Sequence, residues 1–381
     1  MKNRLISLFN IPNLRNKFYL IRSIRLAIAI TSAIVFAKTF DFNFITSFSL
    51  YITTVLLGVS DMSTNLVTRV KMLLVNSLGL LITGISIIFI GDHLFWILLF
   101  IVLLVRITFN FSFRFPEKNL HFTVILLGFC FFLPLELNLY NIDSFVFGLV
   151  LGSVWYIVTL YFGYLTYLFF TRENKEDRAN LFFVDSTNSK YGKTSFFANR
   201  ETALLRRKLD LNSDRITIWS HPYRLAISMI IAFLIGFYLK LNNGYWIMMT
   251  VVLLHNPSQK ISAGIPRILR RFSGTVIGLI LYLPIAEMNL AIYWLYLLIF
   301  ISAFFIFLSI RDNYFVAVIF ITYMVLSSIK INFVLDNSIL LERFSDTSIA
   351  ILIVLFSHVV LLSARSLKLK SQRSFKSFRR S

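Results

Sequence analysis

The chain has 381 residues, 57% of them hydrophobic and 16% aromatic, with 38 Lys and Arg against 18 Asp and Glu for a formal charge of +20. So much apolar surface cannot be hidden inside a water-soluble globule. Its blocks of roughly 20 apolar residues, lacking two-residue alternation, exclude an outer-membrane barrel and define an all-α membrane protein.

In chain order, the first 30 residues, "MKNRLISLFNIPNLRNKFYLIRSIRLAIAI", carry a basic region too long for a signal peptide, and no small-residue cleavage site follows. Residues 1–22 read as a basic segment lying in the membrane interface. A first membrane unit, 23–170, holds spans near 24–40, 43–59, 72–90, 94–110, 119–138 and 144–170. Its second span, "FITSFSLYITTVLLG", is interrupted by Thr46, Ser47, Ser49, Thr53 and Thr54, and its lone Cys130 excludes an intramolecular disulfide. Residues 171–222 form a linker of mixed charge on the cytoplasmic side, in which "ANRETALLRRKLDL" has the spacing of one surface helix. The second membrane unit, 223–364, has spans near 223–240, 244–256, 272–288, 291–310, 314–333 and 347–364. The tail, 365–381, alternates cations with Phe375 and Phe378, which suits either an anionic leaflet or a solvated, disordered end.

With about twelve spans, Lys38, Lys240, Lys330 and Arg343 are the only cations on one face, and the remaining 34 of 38 fall on the other. Cations collect on the cytoplasmic side of such proteins, so both termini are expected in the cytoplasm of a multi-pass inner-membrane protein. This distribution also sets nucleic acid aside as a partner, leaving the lipid bilayer as the surface the charge serves.

The two units resemble each other. "RLAIAITSAIVFAKTFDFNF" from Arg25 matches "RLAISMIIAFLIGFYLKLNN" from Arg224, and "RVKMLLVNSLGLLITG" from Arg69 matches "ILRRFSGTVIGLILYL" from Ile268, at an offset of about 196 to 199 residues. Six spans being even, the repeats are expected to be parallel, with a route between them.

The stretch 242–282 places Lys260, Arg267, Arg270 and Arg271 between two apolar runs, with Pro257 and Pro266 read as marking a connection outside helices. These arginines either anchor topology or, together with Lys71, form a collar that draws in an anion, since a guanidinium matches carboxylate geometry. The short run "YWIMMTVVLL" and its polar counterpart occupy matched places, which is where broken spans mark a substrate path. Trp246, Thr250, Thr53, Thr54 and Thr275 are the candidate lining residues. Arg343 with Asp346 reads as an outward pair, gating the far mouth or simply solvated. His358, in "VLFSHVVLL", is either a packing residue or a proton-coupling group. No phosphate loop, hydrolase motif or metal cluster is present, so the expectation is a protein that is not an enzyme and needs no cofactor.

The residues Arg224 and Ala226, Trp246 and Thr250, Pro257, then Arg271, Gly274, Thr275 and Gly278 resemble the core signature of the fusaric acid resistance and aromatic acid exporter-like (FUSC-like) membrane family, distantly similar also to plant aluminium-activated malate transporters. "RDNYFVAVIFIT" and "ERFSDTSIAIL", with Arg311, Asn313, Tyr314, Arg343 and Asp346, resemble that family's closing helices. The likeness is weaker in the first unit, where Asp61 stands in place of Pro257. It implies export or conductance of organic anions through a pore near the repeat interface, and the leading expectation is a transporter for the efflux of organic, aromatic carboxylates. An anion channel and a non-transporting envelope-maintenance protein are the alternatives. Proton coupling and homo-oligomerisation stay open.

Overall fold

The computed structural model describes residues 17–60, 66–91, 93–114, 119–135, 137–170, 215–241, 244–255, 261–288, 290–310, 313–332 and 337–378. Among these, every regular element is helical. In chain order the α-helices are α1 Lys17–Thr39, α2 Phe44–Ser60, α3 Leu66–Ile90, α4 Leu94–Arg114, α5 Asn119–Phe132, α6 Ile142–Phe170, α7 Arg215–Tyr238, α8 Tyr245–Leu254, α9 Ile261–Glu287, α10 Ile292–Ser309, α11 Tyr314–Asn332 and α12 Asn337–Phe378. Leu133–Leu135 adds a 3-10 turn after α5.

Six stretches are long and apolar enough to cross a membrane: Leu20–Thr39, Val70–Ile90, Ile142–Gly163, Ile265–Glu287, Ile292–Ser309 and Tyr314–Ile331. Large apolar side chains such as Phe89, Tyr293, Leu352 and Phe356 stand exposed along the helices. In water such a surface would aggregate, whereas lipid solvates it.

Each expected span coincides with a helix, but several boundaries move. Pro266 lies inside α9, as does Pro284, and Pro222 lies inside α7. The expectation that Pro266 sits in a connection is therefore overturned. It occupies the sixth position of α9, one turn past the free N–H groups, so the helix gives up one early backbone hydrogen bond, to Ser262 O, and continues. Arg22 and Arg25 of α1 are buried within the bundle. The tail continues as helix to Phe378, and α7 begins at Arg215, inside the stretch read as linker. The surface helix expected over 198–211 lies outside the described residues.

Two helix ends share one stop signal. After α1, Asp41 takes φ 49° while Phe42 N–H donates to Ala37 O (3.2 Å) and Asp41 N–H to Lys38 O (3.3 Å). After α7, Lys240 takes φ 49° while Leu241 N–H donates to Gly236 O (3.0 Å) and Lys240 N–H to Phe237 O (3.3 Å). Both are Schellman terminations, built with a non-glycine residue in the left-handed position. The far end of α9 is closed differently: the Lys330 ammonium donates to the carbonyls of Ile285 (2.7 Å), Ala286 (2.9 Å) and Met288 (2.7 Å), meeting the negative end of that helix.

Helices α2 and α6 pack closely, as do α8 and α12, α3 and α5, and α9 and α11. The first six helices meet the last six where α1 packs on α10, α4 on α7 and α5 on α8. The core is continuous through α2, α5 and α8, with Leu56, Phe129, Cys130, Ile247 and Val251 in one cluster.

Candidate functional site

The site is built around α8. This helix has only ten residues, about 15 Å of axial rise, and Trp246 through Val252 are all buried. A helix apolar all round belongs inside the bundle, and its neighbours are α5, α7, α9 and α12. Along α9, Arg267 and Arg271 are four apart and share a face. Arg270 falls beside that face and is exposed. Along α12, Arg343, Asp346 and Thr347 recur at three and four residues, again on one face. That face is buried: Arg343 is 4% and Asp346 2% exposed, while Arg271 is fully buried at 0%.

The guanidinium carbon of Arg343 sits 3.8 Å from the Trp246 ring centroid. Phe131 from α5 meets the same indole edge-on at 5.8 Å, and Tyr245 lies at 5.0 Å from it. Arg343 interacts electrostatically with Arg271, Tyr245 and Asp346. Nε and Nη1 of Arg271, Nε and Nη1 of Arg343, Oδ2 of Asp346 and the hydroxyls of Thr347 and Thr250 are buried without a hydrogen-bond partner. Thr250 is one turn from Trp246 on the same side of α8. One turn back along α9, the guanidinium carbon of Arg267 lies 4.7 Å from the Tyr314 ring centroid. The Tyr314 hydroxyl and Arg267 Nε are likewise buried and unpartnered.

Two like charges thus face each other in the interior with one buried carboxylate among the described residues. A buried ion needs a partner charge and full hydrogen bonding to repay its lost hydration. A planar anion satisfies both needs, because it accepts from the unpartnered N–H groups and balances the second positive charge.

The predicted residues divide accordingly. Arg271, Trp246, Thr250, Arg343 and Asp346 come together, with Arg267 and Tyr314 adjoining them. Arg343 and Asp346 are not a solvated outward pair, because α12 starts at Asn337 and carries both into the protein. Arg270 and Lys71 point outward and are exposed, so the collar of four cations does not converge. Thr275 is buried between Gly274 and Gly278, where α9 lies so close to α11 that an added Cβ would meet Val318 and Thr322 at 2.9 Å. Thr53 and Thr54 are buried in α2; Thr54 donates back to Leu50 O at 2.8 Å, while the Thr53 hydroxyl has no partner. Arg311 lies outside the described residues, and His358 sits near the opposite end of α8, against His255. Phe131, Tyr245 and Thr347 were missed. Thr347 was readable from its four-residue spacing to Arg343, whereas nothing local marks Phe131 among so many phenylalanines.

Apolar helices exposed around a buried cationic core define a multi-pass membrane protein with an anion-suited interior. Residues 230–357 are similar to the family model described as fusaric acid resistance protein-like. The match runs from within α7 to within α12 and includes Trp246, Arg267, Arg271, Arg343 and Asp346. No curated protein and no solved structure matches the chain significantly, so the malate-transporter likeness gains no support.

Proposed function

We propose that the chain is an inner-membrane transporter that exports aromatic carboxylate anions along a path between two parallel six-helix repeats, with both termini in the cytoplasm. The observation that carries this reading is the pair of buried guanidinium groups, Arg271 and Arg343, whose in-plane N–H groups lack partners. The ring cluster of Trp246, Tyr245 and Phe131 favours an aromatic body on the anion. A transport role agrees with the family match over 230–357.

The repeat reading is supported by matched details. The Schellman stops at Asp41 and Lys240 are the same motif 199 residues apart. Gly79 abuts α5 at Ile125, and its counterpart Gly278 abuts α11 at Thr322. Exchanging the halves turns the α1–α10 contact into the α7–α4 contact, and both exist. Aligning "VLL" at 55–57 with 252–254 pairs Thr53 with Thr250, both fully buried with unpartnered hydroxyls.

The test is efflux of radiolabelled benzoate from vesicles containing the purified protein. Arg271→Gln removes charge-assisted hydrogen bonds worth about 1.5–3 kcal/mol, so apparent affinity is expected to fall by roughly 10- to 150-fold. Arg270→Gln, on the exposed face, is expected to leave it unchanged. Equal behaviour of the two variants overturns the site.

A further inference from the structure

A second polar cluster lies at the other end of α8, about 13 Å along its axis from Trp246. His255, which caps α8, is 2% exposed, and His358 of α12 is 6% exposed; their ring centroids are 6.0 Å apart. His255 Nδ1 lies 3.0 Å from Val251 O and His358 Nδ1 2.8 Å from Val354 O. A carbonyl only accepts, so Nδ1 carries the hydrogen on both rings, and Nε2 is the position that gains or loses a proton.

The surroundings of His255 Nε2 suit both states. Ser228 Oγ of α7 lies at 3.5 Å and Ser357 Oγ of α12 at 3.3 Å. The Ser357 hydroxyl already donates to Val354 O (2.8 Å), so toward the ring it presents lone pairs. Ser228 donates to a neutral Nε2; a protonated Nε2–H donates to Ser357. Beside the pair, Arg224 of α7 is half-buried, acts electrostatically on His358, and has Nε and Nη1 buried without partners. From α4, Arg106 is directed away to the Tyr223 hydroxyl (3.5 Å). On α8 and α9, Tyr245 and Arg271 belong to the far end with Arg343. Among the described residues, Arg224 is thus the charged group facing the histidines.

We infer that Arg224, His255 and His358 form a second anion site, selective for carboxylates and competent when one of the two imidazoles has taken up a proton. With both rings neutral, the Nε2 lone pairs repel a carboxylate; with one proton bound, the imidazolium charge joins the Arg224 N–H groups in attracting it, and a carboxylate oxygen takes the place of Ser357 as acceptor of the new N–H. Each anion bound there draws one proton from solution. The two sites then bracket α8, which gives the proposed route a protonation-dependent station at one end, and to that extent the inference rests on the transport reading.

The experiment is calorimetric titration of the purified full-length protein with benzoate near pH 7, in buffers of different ionisation enthalpy, which counts protons taken up per anion. For the wild-type protein about one proton is expected for each benzoate bound at this second site, and for the double variant His255→Gln/His358→Gln none. Arg224→Gln is expected to weaken benzoate binding at pH 6 by roughly tenfold or more, and Arg271→Gln to leave the proton count in place. Should a glutamine variant fail to fold, Ser228→Ala, which removes the donor to the neutral ring, is expected to extend proton uptake to higher pH. A wild-type protein that binds benzoate without proton uptake, or binds none, overturns the inference, as does an unchanged count in the double variant. Benzoate flux in vesicles, measured in parallel, decides the transport reading separately.

Discussion

Arg343 uses one part of its guanidinium group and leaves another part open. Its planar face lies on the Trp246 ring, while Nε and Nη1 in the plane of the guanidinium stay unpartnered. A lysine ammonium has no such division of face and edge, so Arg343→Lys is not conservative here. The indole holds the guanidinium with a desolvated cation–π contact of about 2 kcal/mol. Trp246→Ala is therefore expected to weaken benzoate binding by about 30-fold, and Trp246→Phe by only a few-fold; equal losses in both would mean that the ring merely fills space. Arg271 was legible in the sequence because it interrupts an apolar run. Arg343 was legible as a residue but misplaced, since Glu342, Arg343 and Asp346 depress local hydropathy and make the span look as though it begins after them. The structure buries the charged face and leaves the apolar faces of the same turns, such as Leu341 and Phe344, exposed.

At the scale of single helices, the stops after α1 and α7 place Asp41 and Lys240 at φ 49°, a conformation that glycine adopts without penalty and other residues adopt at about 1 kcal/mol. Asp41→Gly and Lys240→Gly are each expected to raise the thermal midpoint in detergent by a few degrees without altering transport; a lower midpoint in both would show that these side chains make compensating contacts. Helix existence was legible from apolar block length throughout. Boundaries were not, where proline or charge lay inside a helix: Pro266 reads as a breaker, yet it sits in the early turns of α9, where few backbone hydrogen bonds are lost. Helix α9 consequently starts well before the expected span, and Arg271 is ten residues inside it instead of at its mouth.

Across the whole molecule the two proposed repeats differ in content. The 199-residue offset sets Met72 against Arg271, and the 197-residue offset sets Gly58 against His255. In the first half Gly148 and Gly152 bring α6 so near α2 that an added Cβ would meet Thr46 O at 2.5 Å and Leu50 O at 2.7 Å. In the second half α12 instead carries Arg343 against α8. The all-helical character was legible from the apolar blocks; which helices touch was not, because that depends on packing across α1–α10, α4–α7 and α5–α8. Those contacts predict that a single engineered protease cut between residues 171 and 214 leaves the halves together on a sizing column in mild detergent. Separate elution would show that the covalent connection, not packing, holds them. The brevity of α8 has one more consequence. Ten residues insulate about 15 Å, half the roughly 30 Å of a bilayer's hydrocarbon layer. Both ends of so short a helix, at Trp246 and His255, therefore lie inside the bundle and not at its surfaces.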